Sequence, residues 1–307
     1  MIITEYLERN ARLYGSDSAL VELSPSEDRD KAVTWREAQL IESVGGSVPY
    51  RREYSWSDFD RRANRFANLL LSRGTKRGTK VAMLMMNCLE FLPIYFGILK
   101  AGCIVVPMNY RYASDEMADA EILVFGPEFI ERMNAVADQL PRVHTMFFVG
   151  KNGPAYTEDC LKFMRFCSSS APPVALHSDD DAAIYFSSGT TGFPKAILHT
   201  HRSLTCAART EHKHHGQTKD DVFLCIPPLY HTGAKMHWFG SLVSGSKGVL
   251  LRGVKPEWIL RAVTEEKCTI VWLLVPWAQD ILDAIDSGRI NLNDYLLDQW
   301  RLMHIGA

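Results

Sequence analysis

The chain has 307 residues, of which 47% are hydrophobic and 23% charged, so it is long enough to bury a substantial core in one large domain or two smaller ones. A formal net charge of −2 supplies no basic field for nucleic acid, which excludes that class of partner. Seven cysteines lie scattered along the sequence without close pairs, which predicts reduced thiols in a cytoplasmic protein.

The N-terminal half predicts helices and strands in alternation. Region 24–52 is polar, and we interpret it as an insertion with its own helix start, a capping box at 34–37. The order strand, helix, strand between residues 80 and 107 demands a parallel sheet with a crossover helix. The predicted elements are a helix carrying Ile3, Tyr6, Leu7, Ala11 and Leu13; strand Ala19–Leu23; a helix carrying Phe59, Ala63, Phe66, Ala67 and Leu70, ended by Gly74; strand Lys80–Met86; helix Leu89–Lys100; strand Cys103–Pro107; strand Ile122–Phe125; a helix near Glu128–Gln139; and strand Met146–Val149.

One stretch, 91–108, is apolar enough to suggest a membrane span. Pro93 and Lys100 interrupt it and Gly102 divides it into a helix and a strand, so we predict no transmembrane segment.

The second half predicts a loop-rich region, a linker and then repeated strand–helix units. Thr200 is placed to cap a helix, and Pro256 and Pro276 stand where a first helical turn tolerates proline. The predicted elements are the loop-rich region Lys151–Asp181 with the linker Ser168–Pro173; helix His201–His212; strand Val222–Ile226 and helix Ala234–Val243; strand Gly248–Leu251 and helix Pro256–Glu266; strand Thr269–Val275 and helix Pro276–Ile285; and a last strand, Arg301–Ile305.

These patterns predict an α/β fold of layered sheets, built from parallel βαβ units packed by helices. We expect a first subdomain over 1–173, with the insertion near 24–52, and a second over 174–307 that is incomplete at its C-terminal end.

A polar loop between two apolar strands is the most informative stretch. Ala182–Phe186 and Ala196–His199 predict the strands, and residues 187–195 between them read Ser-Ser-Gly-Thr-Thr-Gly-Phe-Pro-Lys. The glycines let the backbone approach phosphate oxygens, the hydroxyls and N–H groups donate hydrogen bonds, and Lys195 adds charge for the outer phosphates. The spacing is not that of a Walker A motif, because Pro194 stands where that motif has its second glycine. The alternative interpretation is a polar surface turn.

The same nine residues resemble the signature of the adenylate-forming superfamily of acyl-CoA synthetases, adenylation domains and luciferases, written Thr-Ser-Gly-Thr-Thr-Gly-x-Pro-Lys-Gly. The chain departs from it at Ser187, which keeps the hydroxyl, and at Ala196, which replaces a glycine. The resemblance implies ATP binding by the loop, with Mg²⁺ bridging the leaving oxygens and Ser187 as its protein ligand. The nucleotide-binding residues that it implies are Ser187, Ser188, Gly189, Thr190, Thr191, Gly192, Lys195, Gly306 and Ala307.

A second motif, Pro227–Gly233, follows one strand and precedes a helix, where α/β sheets present ligand-binding loops. It is similar to the family's Pro-Leu-x-His segment, which implies that His231 lies at the junction of the acyl pocket and the α-phosphate. Gly233, His237 and Trp238 are then candidate pocket-wall residues, with core packing as the alternative for Trp238.

The histidine-rich run 212–215 is a weaker candidate for a metal site. Adjacent helical positions point away from one another and no cysteine spacing accompanies them, so we interpret the run as a solvated helix end rather than a zinc site.

The resemblance implies an ATP-dependent carboxylate–CoA ligase that forms an acyl adenylate and then a thioester, with ATP, Mg²⁺ and coenzyme A as cofactors or co-substrates and His231 and Lys195 as catalytic residues. It covers about residues 54–307, the N-terminal part of the family's fold, and the small C-terminal domain has no counterpart here. We therefore expect a fragment, or a naturally truncated copy, with little or no ligase activity alone.

Several alternatives stay open at this stage. They are a non-catalytic nucleotide- or acyl-binding module, a phosphate-loop hydrolase, a peptide-synthetase adenylation domain and a luciferase-like enzyme. The sequence leaves open the acyl substrate, the thioester acceptor and whether the chain forms a homo-oligomer.

Overall fold

The structure, a computed structural model, describes residues 1–25, 31–33, 40–42, 49–109, 119–187 and 195–305. Its strands are β1 (Ser18–Leu23), β2 (Lys31–Val33), β3 (Leu40–Glu42), β4 (Arg51–Ser55), β5 (Lys80–Leu84), β6 (Ile104–Pro107), β7 (Ile122–Phe125), β8 (Thr145–Phe148), β9 (Glu158–Asp159), β10 (Asp181–Ser187), β11 (Lys195–Thr200), β12 (Val222–Cys225), β13 (Lys247–Leu251), β14 (Ile270–Leu273) and β15 (Leu302–Ile305). Its α-helices are α1 (Ile3–Leu13), α2 (Trp56–Ser72), α3 (Phe91–Lys100), α4 (Ile130–Val136), α5 (Cys160–Phe166), α6 (His201–His214), α7 (Thr232–Ser244), α8 (Pro256–Glu266) and α9 (Val275–Asp286).

The first sheet has seven strands in the order β11-β10-β6-β5-β7-β8-β9. Its neighbours run parallel, except that β11 is antiparallel to β10. Strands β5 and β6 pair in parallel, with Val81 opposite Val105, and α3 connects them. The predicted βαβ unit between residues 80 and 107 is therefore confirmed.

The second sheet has six strands in the order β15-β14-β12-β13-β1-β4. It is parallel except for β4, which pairs antiparallel with β1. The sequence interpretation missed β4, because this strand is only five residues long and α2 begins directly after it. Strand β4 is an edge strand of this sheet and lies next to β1. Strands β2 and β3, between them in the sequence, pair with each other. The predicted capping box at 34–37 lies outside the described residues.

Both sheets cross the predicted subdomain boundary at residue 173. Strands β10 and β11 join the sheet that holds β5–β9, whereas β1 and β4 join the sheet that holds β12–β15. The proposed division into 1–173 and 174–307 is thus not a division between sheets, and the two subdomains stay a prediction.

Helices α2 and α3 form the centre of the core. The predicted face of α2 is fully buried, and Ser55 caps that helix by accepting a 3.1 Å hydrogen bond from the Asp58 N–H. Every residue of α3 is buried, because the helix packs between α2 and the apolar residues of the first sheet. That burial explains why 91–108 is so apolar without spanning a membrane, and no helix among the described residues is long and apolar enough to cross one.

The region 151–181, predicted to be loop-rich, holds a short strand and a helix. Asp159 caps α5 by accepting a 2.9 Å hydrogen bond from the Lys162 N–H, and Cys160 and Met164 are its buried residues. Two buried positions in one short helix give too little periodicity to detect from sequence. The predicted linker is anchored as well, since Asn64 and Asn68 of α2 donate hydrogen bonds to its carbonyl groups.

Candidate functional site

The predicted phosphate loop connects the two strands of a β-hairpin. Strands β10 and β11 pair antiparallel, and Ser187 stands opposite Lys195 at the open end of the hairpin. The side chain of Lys195 is exposed, as a group that binds an outer phosphate must be. The predicted site residues Ser188, Gly189, Thr190, Thr191 and Gly192 lie outside the described residues, as does the side chain of Ser187.

A buried lysine lies beneath this hairpin. Lys235 of α7 is fully buried, and its Nζ lies 4.3 Å and 4.5 Å from the ring centroids of Tyr185 and Tyr95 and donates a 3.2 Å hydrogen bond to the Leu229 carbonyl. The two tyrosine hydroxyls are 2.8 Å apart. Burial lowers the pKa of Lys235 well below its usual value. The sequence interpretation missed this residue, because a lysine within a helix carries no local sign of burial.

The second motif lies where the ends of the two sheets meet. His231 follows β12 and is the N-cap residue of α7, with an exposed side chain. The turn before it is held by Asn87, which follows β5 of the other sheet. Its amide donates to the Pro227 carbonyl at 2.9 Å and its Oδ1 accepts from the Leu229 N–H at 2.7 Å. The sequence interpretation missed Asn87, although a polar residue just after a buried strand was a usable signal.

Two of the predicted pocket-wall residues come together on one side of α7. A Cβ placed on Gly233 would lie 2.5 Å from the indole of Trp272, so the indole fills the space beside the glycine. The imidazole of His237 lies 4.7 Å from the same indole and 4.2 Å from the ring of His304, measured between ring centroids. Neither Trp272 nor His304 was singled out from sequence.

The third predicted wall residue, Trp238, lies in the core instead. It is fully buried, and its ring centroid lies 5.9 Å from those of both Phe59 and Phe96. Adjacent residues of a helix point about 100° apart, so Trp238 cannot share the side of α7 that His237 occupies. Core packing is the interpretation that the structure supports for this residue.

A carboxylate and a further histidine extend this polar cluster. Oε1 of Glu211 lies 2.9 Å from Nδ1 of His215 and also contacts Nδ1 of His237. Burial alone would raise the pKa of Glu211, but these two contacts lower it to about 2. Burial and the nearby His237 and His215 lower the pKa of His304. His215 is therefore an exception to the solvated helix end predicted for 212–215, because it turns inward against α7 while His214 stays exposed.

Strands β12, β14 and β15 are adjacent and parallel, so their carboxyl ends lie along one edge of the second sheet. The segment 231–233 follows β12 on that edge, and the predicted nucleotide-contacting residues Gly306 and Ala307 follow β15 but lie outside the described residues. This edge is where open α/β sheets bind ligands.

Comparison with known proteins identifies relatives of this chain. The family model described as "AMP-binding enzyme" matches residues 8–307. The chain is 26% identical over 254 residues to a medium-chain fatty-acid–CoA ligase of Escherichia coli K12, covering 78% of this chain and 45% of the relative. It is 32% identical over 207 residues to a crotonobetaine/carnitine–CoA ligase of Citrobacter koseri, covering 63% of this chain and 39% of the relative. The chain thus spans less than half the length of these two relatives.

Solved structures show the same fold. The anthranilate CoA ligase AuaEII in complex with anthranoyl-AMP superposes with a TM-score of 0.83 at 21% identity, over 99% of this chain and 55% of that one. The N-terminal domain of FACL13 from Mycobacterium tuberculosis superposes with a TM-score of 0.78 at 22% identity, over 96% of this chain and 68% of that one.

Proposed function

The chain belongs to the family of AMP-binding enzymes, and from that premise we propose that it carries the nucleotide- and acid-binding part of an ATP-dependent carboxylate–CoA ligase. The observation that carries the proposal is the hairpin, whose paired strands place Lys195 opposite Ser187 at the two ends of the hydroxyl- and glycine-rich loop. The curated relatives are named as CoA ligases, which favours this reaction over other adenylations.

The proposed reaction has two steps. A carboxylate oxygen attacks the α-phosphorus of ATP, forming an acyl adenylate as pyrophosphate leaves. The thiol sulfur of coenzyme A then attacks the acyl carbonyl, and AMP leaves with the electrons of the C–O bond. A carboxylate is a poor acyl donor, so adenylation supplies the leaving group, and the protein's share is positioning and charge stabilisation.

Two described residues of the site, Lys195 and His231, have a role in this proposal. Lys195 neutralises the outer phosphates, and its exposed ammonium is free to reach them. His231 places the acid, because it begins α7 and a helix N-terminus favours an anion. ATP, coenzyme A and a carboxylic acid are then the small-molecule partners, and Ser187 as the ligand of Mg²⁺ stays a prediction.

The proposed acyl pocket is lined by Gly233 and His237. Trp272 packs against the glycine and two imidazoles stand beside it, so the wall is more polar than one lined by aliphatic side chains. This wall favours a short acid with an aromatic or polar group over a long alkyl chain.

Two measurements with matched variants test the proposal. We expect Lys195→Ala to weaken ATP binding in a calorimetric titration by about 10–100-fold, because a charge-assisted contact contributes about 1.5–3 kcal/mol. Lys213→Ala, which removes an exposed lysine of α6, is the control and should bind ATP as the wild type does.

The second measurement is carboxylate-dependent exchange of labelled pyrophosphate into ATP over a panel of acids. We expect His231→Ala to lower the exchange rate while ATP binding changes less than about twofold, because the imidazole contacts the acid rather than the triphosphate tail. Equal ATP affinity in Lys195→Ala and the wild type would refute the nucleotide site. Weak exchange alone is expected of this chain, so the non-catalytic binding module would be favoured only by ATP binding that no acid in the panel alters, together with no exchange.

A further inference from the structure

Three histidines that are far apart in the sequence meet beside α7. His215 ends α6, His237 lies within α7 and His304 lies in β15. Each offers one ring nitrogen, and these three atoms lie within 4.8 Å of one another. The ring centroid of His215 is 5.4 Å from that of His237 and 5.5 Å from that of His304. The ligase steps proposed above give this group no chemical role, although His237 and His304 stand in the wall of the proposed acyl pocket.

Glu211 orients two of the three rings. Its Oε1 lies 2.9 Å from Nδ1 of His215 and is hydrogen-bonded to Nδ1 of His237. The hydrogen bond to Nδ1 of His237 leaves the Nε2 lone pair of that ring to bind a ligand. A carboxylate that accepts the second N–H of a histidine is the usual outer partner in metal sites, where it fixes the tautomer and raises the basicity of the ring.

We propose that His215, His237 and His304 bind a divalent first-row transition metal ion, and that Zn²⁺ is the ion this ligand set suits. Imidazole nitrogens select such ions over Mg²⁺ and Ca²⁺, which take oxygen ligands. Zinc–nitrogen bonds of about 2.0–2.1 Å in a tetrahedral site set the nitrogens about 3.3 Å apart. Since the three nitrogens lie within 4.8 Å of one another, each distance between them needs to shorten by about 1.5 Å at most.

The surroundings of the cluster fit such an ion. His237 is buried, and the indole of Trp272 shields it on one side, with ring centroids 4.7 Å apart. His215 and His304 are each partly exposed, which gives a metal ion a route to the site. Three protein ligands leave a fourth position for water or a substrate group, as in catalytic zinc sites. This site goes beyond the proposed ligase function, although it shares His237 with the predicted acyl pocket.

The neighbouring histidines of α6 supply a matched control. His214 precedes His215 directly but is exposed, so its imidazole points away from the cluster. A variant at His214 therefore removes one histidine from the same helix end without touching the proposed ligand set.

The test is a calorimetric titration of the metal-free whole chain with ZnCl₂. We expect one tight Zn²⁺ per wild-type chain and the same affinity for His214→Ala. Glu211→Gln should weaken Zn²⁺ binding by about 10–100-fold, the usual effect of losing an outer-shell partner. His304→Ala removes a ligand itself, so it should weaken Zn²⁺ binding by at least about 100-fold. Circular dichroism verifies that each variant is folded; His304 is chosen over His237 because it is less buried.

Co²⁺ substitution gives an independent readout. A site of three imidazoles should show the visible absorption of four-coordinate Co²⁺ without the near-ultraviolet thiolate band that cysteine binding would add, and His304→Ala should lose it. Equal Zn²⁺ affinity in His304→Ala and His214→Ala would overturn the proposal, as would an absence of tight binding in the wild type or a thiolate band in the Co²⁺ spectrum.

Discussion

Replacing the buried Lys235 by methionine should stabilise the protein. The side chain is fully buried against two tyrosine rings, and burial holds the pKa of its amine well below the usual 10.5. The unfolded chain carries a protonated amine, so folding requires the burial of a group whose charged form is disfavoured there. Lys235→Met removes this requirement while keeping the length of the side chain.

The size of the effect follows from proton linkage. For a folded amine that is neutral at pH 7, the release of the proton costs about 4.8 kcal/mol. This is because pH 7 lies roughly 3.5 units below the pKa of the unfolded amine, and each unit corresponds to about 1.36 kcal/mol. The variant also leaves the Leu229 carbonyl without its 3.2 Å hydrogen bond from Lys235, at about 1–3 kcal/mol. We therefore expect Lys235→Met to raise the free energy of unfolding at pH 7 by about 2–4 kcal/mol.

The assay is urea denaturation of both proteins between pH 7 and pH 9. The folded state binds fewer protons at Lys235 than the unfolded state, so wild-type stability rises with pH relative to the variant, by about 1.4 kcal/mol per pH unit above the folded pKa and below 10.5. Other titrating groups are common to both proteins and cancel in the difference. A difference that stays constant over this range would refute a deprotonated Lys235.

Three further changes probe other parts of the fold by urea or thermal denaturation. Lys100→Met should lower the free energy of unfolding by about 3 kcal/mol, because it removes the ammonium that lies 2.8 Å from the Asp60 carboxylate. A loss under about 1 kcal/mol would contradict this. Gly97→Ala should lower the melting temperature, because the added Cβ would lie 2.7 Å from the Ala63 carbonyl oxygen and overpacking costs about 1–3 kcal/mol. An unchanged or higher melting temperature would show that α2 and α3 can move apart without loss of stability. Asp221→Asn should lower stability at pH 7 by roughly 2 kcal/mol. Burial raises the pKa of Asp221, but hydrogen bonds, above all from Arg301, lower it to about 2, so this stability is present above about pH 4 and lost as pH falls towards 2; equal acid sensitivity of variant and wild type would contradict it.

Local patterns in the sequence were sufficient for most of the helices and strands. The cap at Thr200 and the fully buried face of α2 were both predicted, because each depends on residues within one or two turns of one another. Two of the missed elements, β4 and α5, are short and carry little periodicity of their own. They form because β1 and the core offer them partners that are distant in the sequence.

The sequence by itself determined the α/β class, the parallel unit of β5 and β6 and the two strands that flank the predicted phosphate loop, because alternation and glycine placement report directly on local conformation. Only the tertiary structure decided which sheet each strand joins, that Lys235 lies buried and that Trp238 faces the core. It also decided that His215, His237 and His304 meet. These outcomes depend on contacts between residues tens to hundreds of positions apart, and the free energy of such a contact is set by neighbours that no local pattern of residues specifies.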